Sequence, residues 1–376
     1  MCDIVISLFT FIVLSCTSVY AEIKNCTDCI AYKSCDAAVE PIEKNDPAID
    51  TQLNNAFCGF ESGRPMVCCS ELTELGYAAD NHPNLRLLPD NCGVGGEDYG
   101  FRLAGAFPVP GLYEYPWMVL ISYLSRFSNS EEDSTFNCGG SLINERYVMT
   151  AAHCVSGGAR RRLLSVRVGE YDVDTTTDCV GDPPKCESYV QDIGIEEVFV
   201  KVIDAHQDKY PYDNSIGLIR LKTPVNLFLK NAGTVCLPVT RYLRTRDLVN
   251  LGATVTHWRV SRDGYYAFSK MLYADVKIRD AEYCKEQYNK YTITLKTNYT
   301  DDDVHNKICA SYPDGADTCP VAGSPLMVQS LFGDRDRFVQ YGVQSYGPKG
   351  CGKLSLPEIY TDVTKYMTWI LDTIRP

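Results

Sequence analysis

The sequence predicts an all-β protein in two parts. A large β domain is closed by one terminal helix, and a small disulfide-rich module precedes it. Three observations carry this reading. From about Phe101 onward, short β-rich runs recur between turn residues. Six cysteines fall between Cys26 and Cys69, in a segment too short to bury much core without covalent bridges. The one clear helical period lies at the end, where Val363, Tyr366, Met367, Ile370 and Ile374 recur at i, i+3, i+4, i+7 and i+11.

Taken in order, residues 1–21 read as a secretory leader. Ile4 to Leu14 is mostly apolar, and Val19-Tyr20-Ala21 offers a small residue before a cut. No later segment reaches the roughly 18 apolar residues of a membrane span. Of the 18 cysteines, Cys2 and Cys16 leave with the leader, and an even number remains, as in a secreted disulfide framework. The small module occupies residues 22–69. Residues 70–102 read as a linker, with Pro83, Pro89 and the polar Asp80-Asn81-His82, and Cys92 as a tether. The large domain covers 103–376. Its expected strands include Trp117–Ile121, Ser165–Val168, Ile195–Val200, Ala253–Thr256 and Gln340–Val343. The net charge of −12 excludes a nucleic-acid partner and disfavours an electrostatic membrane contact. Asn25-Cys26-Thr27 and Asn298-Tyr299-Thr300 are glycosylation sequons.

Two stretches carry a family resemblance. Cys58-Gly59-Phe60-Glu61-Ser62-Gly63-Arg64-Pro65-Met66-Val67-Cys68-Cys69, with Cys26, Cys29 and Cys35 ahead of it, resembles the arthropod clip domain. From Arg102 on, the chain resembles the chymotrypsin-like serine proteases. The motifs are Tyr115-Pro116-Trp117-Met118-Val119, Cys138-Gly139-Gly140-Ser141-Leu142-Ile143 and Thr150-Ala151-Ala152-His153-Cys154, followed by Ile216-Gly217-Leu218-Ile219-Arg220-Leu221 and Tyr360-Thr361-Asp362-Val363. The resemblance implies a chymotrypsin-like double β-barrel with a C-terminal helix behind the clip module. It also implies eight bridges: Cys26–Cys68, Cys29–Cys58, Cys35–Cys69, Cys92–Cys236, Cys138–Cys154, Cys179–Cys186, Cys284–Cys309 and Cys319–Cys351.

That family cuts peptide bonds with Ser, His and Asp, plus two backbone N–H groups that bind the oxyanion. His153 matches the general base. Ser215, in Asn214-Ser215-Ile216-Gly217-Leu218, stands where the family has Asp, and a hydroxyl brings no charge to an imidazolium. Asp213 lies two residues off, roughly 6–7 Å along an extended chain. The nucleophile motif is replaced by Pro320-Val321-Ala322-Gly323-Ser324-Pro325, in a stretch one residue short. Counting forward from Cys319 puts Gly323 at the nucleophile position; counting back from Pro325 puts Ala322 there. Ser324 serves only if the loop slips register. Pro320 or Val321 replaces the oxyanion-hole Gly, and Pro has no N–H to donate.

The resemblance also marks a specificity pocket. Asp317 matches its floor, and Ser345-Tyr346-Gly347 matches one wall. Glu358 stands where active members have a Gly, so it either fills the pocket or turns away and distorts it, and it faces repulsion from Asp317 unless one carboxyl is protonated. Arg102 aligns with the activation bond, as either a cleavage site or an uncut remnant. Arg160-Arg161-Arg162 is a surface charge run. Glu170 and Asp172 lie near a loop that binds calcium in some members, but no metal site and no cofactor is expected.

The resemblance implies a secreted, non-catalytic serine protease homologue. Such proteins act beside clip proteases in prophenoloxidase activation, melanisation and innate immunity, and related homologues occur in venoms. The implied partner is prophenoloxidase or its activating clip protease, and an inhibitor or competitor fits the lost residues better than an activating cofactor. The alternatives are a weakly active trypsin-like endopeptidase and a microbial-surface binder. The cysteine arithmetic gives a first test: the secreted form begins near Glu22 and intact-mass analysis before and after reduction finds no free thiol. A titratable thiol in the native protein breaks the reading.

Overall fold

The computed structural model describes residues 26, 29–31, 34–35, 56–61, 64–69, 82–96, 110–128, 130–156, 161–202, 215–259, 268–292, 307–312, 321–333, 335–346 and 356–376. They divide into two compact units. One runs to Leu85 and includes Val239–Arg246; the other comprises Arg86–Pro238 and Asp247–Pro376.

In the first unit, β1 (Cys29–Ala31), β2 (Phe57–Glu61) and β3 (Arg64–Cys68) form an antiparallel sheet of order β1-β3-β2. Disulfides Cys26–Cys68, Cys29–Cys58 and Cys35–Cys69 staple it. Cys35, Val67 and Cys68 are fully buried. So small a core depends on these bridges, which narrow the unfolded ensemble. The Val239–Arg246 segment carries a short helix, Arg241–Thr245, whose N-cap Thr240 Oγ1 accepts from Leu243 N at 3.3 Å.

The second unit holds two closed six-stranded antiparallel barrels. The first contains β4 (Met118–Ser125), β5 (Thr135–Asn144), β6 (Tyr147–Ala151), β7 (Arg161–Val168), β10 (Gln191–Val202) and β11 (Ser215–Leu221), in the order β10-β11-β6-β5-β4-β7. Between β7 and β10, β8 (Asp178–Val180) and β9 (Lys185–Glu187) form a hairpin bridged by Cys179–Cys186. The second barrel contains β12 (Gly252–Arg259), β13 (Phe268–Arg279), β14 (Lys307–Ser311), β15 (Pro325–Phe332), β16 (Arg335–Tyr346) and β17 (Glu358–Asp362), in the order β12-β13-β14-β17-β16-β15. Every run expected to be extended lies within or overlaps one of these strands. Closure removes the free edges that an open sheet would expose.

Residues 92–96 belong to the barrel unit and carry the expected Cys92 tether, and two other features depart from the sequence reading. Cys92 is bridged to Cys236, Gly93 N donates to Thr234 O at 2.7 Å, and Phe338 N donates to Gly93 O at 3.0 Å. The terminal helix is split into a 3-10 turn, Val363–Tyr366, and an α-helix, Met367–Thr373, with Thr364 N capped by Asp362 Oδ1 at 2.9 Å. A helix not expected at all spans Ala281–Thr292. Its composition is polar, so no apolar stripe announces it. It is held instead by a cap from Tyr283 N to Asp280 Oδ1 at 2.7 Å, by Cys284–Cys309, and by Tyr288 Oη donating to Pro357 O at 2.8 Å.

The barrels meet through buried side chains. Trp117 is fully buried, donates from Nε1 to Met327 Sδ at 3.0 Å, and lies 5.6 Å from the Phe338 ring and 5.9 Å from Tyr115. Ser141 on β5 donates to Gln340 Oε1 on β16, with both residues buried. On the outer wall of the first barrel, Arg220 donates to Tyr147 Oη and Arg375 O, each at 2.8 Å, and also to Pro376 O. Trp117→Ala should lower the unfolding free energy by about 3–5 kcal/mol, the usual cost of truncating a fully packed aromatic. Chemical denaturation of parent and variant checks this.

Candidate functional site

His153 sits on a four-residue helix, α1 (Ala152–Val155), directly after β6. Its position is fixed on both sides. Cys154 is bridged to Cys138 on β5, and Tyr123 Oη donates to Cys154 O at 2.7 Å. His153 is exposed, yet neighbouring protein atoms desolvate its imidazole enough to lower its pKa. Among the described residues, no carboxylate contributes to that shift. An aspartate partner would push the other way, because it stabilises the imidazolium.

Ser215 is the first residue of β11. The register pairs Ile216 with Ala151, and Ser215 with Val202 of β10. The backbone of Ser215 therefore stands beside the turn that carries His153. Asp213 lies outside the described residues.

The loop before β15 resolves into three different residues. Ala322 is half-buried; its carbonyl accepts from Gly139 N at 2.9 Å and lies 3.7 Å from Cys154 Sγ. Gly323 is buried with φ +88°, in the left-handed region that glycine tolerates. A Cβ there would lie 2.2 Å from both Gly139 O and Thr150 Oγ1, so no side chain fits without displacing backbone. Gly323 N donates to Gln344 O at 2.9 Å, and Gln344 N donates to Ser324 O at 2.8 Å, which ties the loop to β16. Ser324 is fully buried, and among the described residues its Oγ has no hydrogen-bond partner. Of the three, the backbone of Ala322 is the one against Cys154, next to His153. Val321 is a buried apolar side chain.

The pocket residues separate in the same way. Ser345 is buried on β16. Glu358 opens β17, is 6 % exposed, and pairs in register with Ala310 of β14. Its Oε2 accepts from Gln344 Nε2 at 2.7 Å, and burial raises its pKa from 4.5 to about 7, only partly offset by that hydrogen bond. Sequence reasoning missed Gln344; the signal was a polar residue after the apolar Val343, one position before Ser345. Asp317, Gly347, Arg102, Asn25, Asn298, Pro320, Cys319 and Cys351 lie outside the described residues.

The acids near the β7 end have protein partners. Glu170 accepts from Tyr171 N at 2.9 Å and from Arg167 Nη1 at 3.1 Å, and burial raises its pKa. Asp172 accepts from Asp174 N at 3.2 Å and lies 3.8 Å from Lys270 Nζ.

Two antiparallel six-stranded barrels, with a histidine on the turn after one and a glycine-tight loop entering the other, define the scaffold of a trypsin-like protease. The sequence profile of the trypsin family matches residues 110–370. The chain is 32% identical to CLIP domain-containing serine protease B4 of Anopheles gambiae, over 92% of this chain and 89% of that protein. It is 32% identical to phenoloxidase-activating factor 1 of Holotrichia diomphalia, over 93% of this chain and 91% of that protein. Among solved structures it is similar to the Drosophila Grass clip serine protease of the Toll pathway, with a TM-score of 0.59 and 26% identity, over 93% of this chain and 97% of that chain. The chain belongs to the clip-domain serine proteases of the trypsin family. Among the described residues, no helix is long and apolar enough to cross a membrane.

The buried carboxyl yields a pH test. In the unfolded chain Glu358 ionises near 4.5; in the fold it holds its proton to about 7. Between those values the folded state binds more protons, so stability falls as pH rises through the window. Glu358→Gln keeps an acceptor for Gln344 and removes the titration. The variant should therefore gain stability over the parent as pH rises from 4.5 to 7, reaching roughly 3 kcal/mol. Urea melts of both proteins across that range measure the difference.

Proposed function

We propose that this chain is a secreted, non-catalytic member of the clip-domain serine proteases, acting by binding within an extracellular protease cascade. The observation that carries the reading is the loop before β15. Ala322, whose backbone lies beside the residue after His153, has no nucleophilic atom; a side chain at Gly323 is blocked by Gly139 O and Thr150 Oγ1; and Ser324 is fully buried. Acyl transfer needs a nucleophile within hydrogen-bond reach of its base. The neutral Ser215 in place of an aspartate adds to the loss, since even an isosteric neutral residue there costs about 10⁴ in rate. Ala322 is thus the better counterpart of the nucleophile than Gly323. Glu358 and Gln344, bonded to each other, occupy buried positions where the resemblance places the specificity pocket.

The relatives point to the cascade. One carries the name phenoloxidase-activating factor and another Spaetzle-processing enzyme. We assign this chain to modulation of prophenoloxidase activation, through prophenoloxidase or its activating clip protease, as a competitor rather than a cofactor. The rigid barrels survive the loss of the catalytic residues, and a surface on them suffices for that role.

A fluorophosphonate serine probe should leave the purified protein unlabelled under conditions that label an active clip protease. In a reconstituted prophenoloxidase assay, the protein should slow activation, and His153→Ala should slow it equally. Labelling by the probe, or loss of the effect in a folded His153→Ala variant, returns the chain to the active proteases.

A further inference from the structure

Two arginines of the run singled out in the sequence, Arg161 and Arg162, fall at a defined place in the first barrel. β7 begins with Arg161 and Arg162, which pair in register with Ser125 and Leu124 at the end of β4. Arg126 and Phe127 follow directly in the turn after β4. Arg126, Arg161 and Arg162 are all exposed, and Phe127 is 87 % exposed. Among the described residues, none of the three guanidinium groups forms an ion pair or a cation–π contact. This is unusual in a chain carrying 48 acidic residues against 36 basic ones. The acids nearest in sequence, in the Glu131–Asp133 turn, lead into β5 on the opposite edge of β4 from β7, and Asp133 accepts from Ser128 Oγ at 2.6 Å.

The patch borders the remnant site. The charge of Arg161 acts on Tyr123, partly offsetting the rise that burial imposes on its phenol, and Tyr123 Oη holds the carbonyl of Cys154, next to His153.

We propose that Arg126, Phe127, Arg161 and Arg162 form a docking surface for an acidic polypeptide segment carrying an apolar side chain. Charge complementarity selects the acidic residues. Guanidinium groups pair with carboxylates through planar, two-pronged hydrogen bonds. The exposed phenyl ring selects a polypeptide over a purely charged polymer, because an apolar anchor beside a charged rim is how protein interfaces gain affinity. The surface stands whether or not the chain hydrolyses peptides, so its test is separate from that of the non-catalytic reading.

The test uses the full secreted chain and two fluorescent peptides, one of Glu residues only and one with a central Leu, followed by fluorescence anisotropy. The Leu peptide should bind more tightly, and its binding should weaken as salt rises, because exposed charge pairs are screened. Arg161→Ser with Arg162→Ser should weaken it about tenfold or more, the scale of losing two charged contacts at a rim. Arg126→Ser, in the turn and outside both strands, repeats the test without touching β7, and matching thermal melts show that each variant folds. Phe127→Ser should remove the advantage of the Leu peptide and leave the all-Glu peptide unchanged. Three results overturn the proposal: binding indifferent to the arginines; a sulfated oligosaccharide that binds as tightly as the Leu peptide and ignores Phe127→Ser; or self-association of the chain that the arginine variants abolish.

Discussion

Where β5 passes the loop that enters β15, backbone packs directly on backbone. Gly139 N donates to Ala322 O, and Gly139 O lies where a side chain on Gly323 would have to go. The close approach requires a glycine in a left-handed turn at residue 323, whereas a Cβ on Gly139 would make only ordinary contacts. Much of the site hangs from this contact. It holds Ala322 against the Cys138–Cys154 bridge, turns Ser324 inward, and delivers Gly323 N to Gln344 O on β16. In an active enzyme such a loop would aim a hydroxyl at the histidine. Here the loop carries Ala322, Gly323 and a buried Ser324.

Much of the architecture was legible because barrel strands such as β4 and β7 are short β-rich runs set between turn residues, and because cysteine spacing marks a stapled module. The Ala281–Thr292 helix was not legible. Its stability comes from Cys284, Tyr288 and Asp280 acting through partners distant in sequence or placed at the cap, and none of these creates an apolar stripe. At the site, Ser215 at the position where the family has aspartate, and a stretch that departs from the family's serine motif, could be read as residue types. The choice between Ala322 and Gly323 could not, because a stretch one residue short aligns equally well from either end. Backbone conformation separates them: a φ of +88° and a blocked Cβ exclude a functional side chain at Gly323. Gln344 was missed because its meaning depends on Glu358, two strands brought together by register alone.

The two ends of the charge distribution are treated in opposite ways. Glu358 is drawn inside, where desolvation favours its neutral form and one amide supplies a hydrogen bond. A buried carboxyl of this kind costs least when it holds its proton. The arginines of the β4–β7 corner remain outside, without a described partner. A chain whose net charge is −12 thus keeps a concentrated positive corner where β4 and β7 meet.

Arg220 spans a large separation in the chain. The carbonyl of Arg375 that it binds lies 155 residues later in sequence. During synthesis, β11 emerges long before those residues exist, and the guanidinium must wait with only Tyr147 and Glu196 to satisfy it. The first barrel therefore reaches its final wall only after the second has been translated. Maturation of the pair is coupled to synthesis of residues 375 and 376, and a ribosome stalled within the second barrel would carry a first barrel that is closed but not finished.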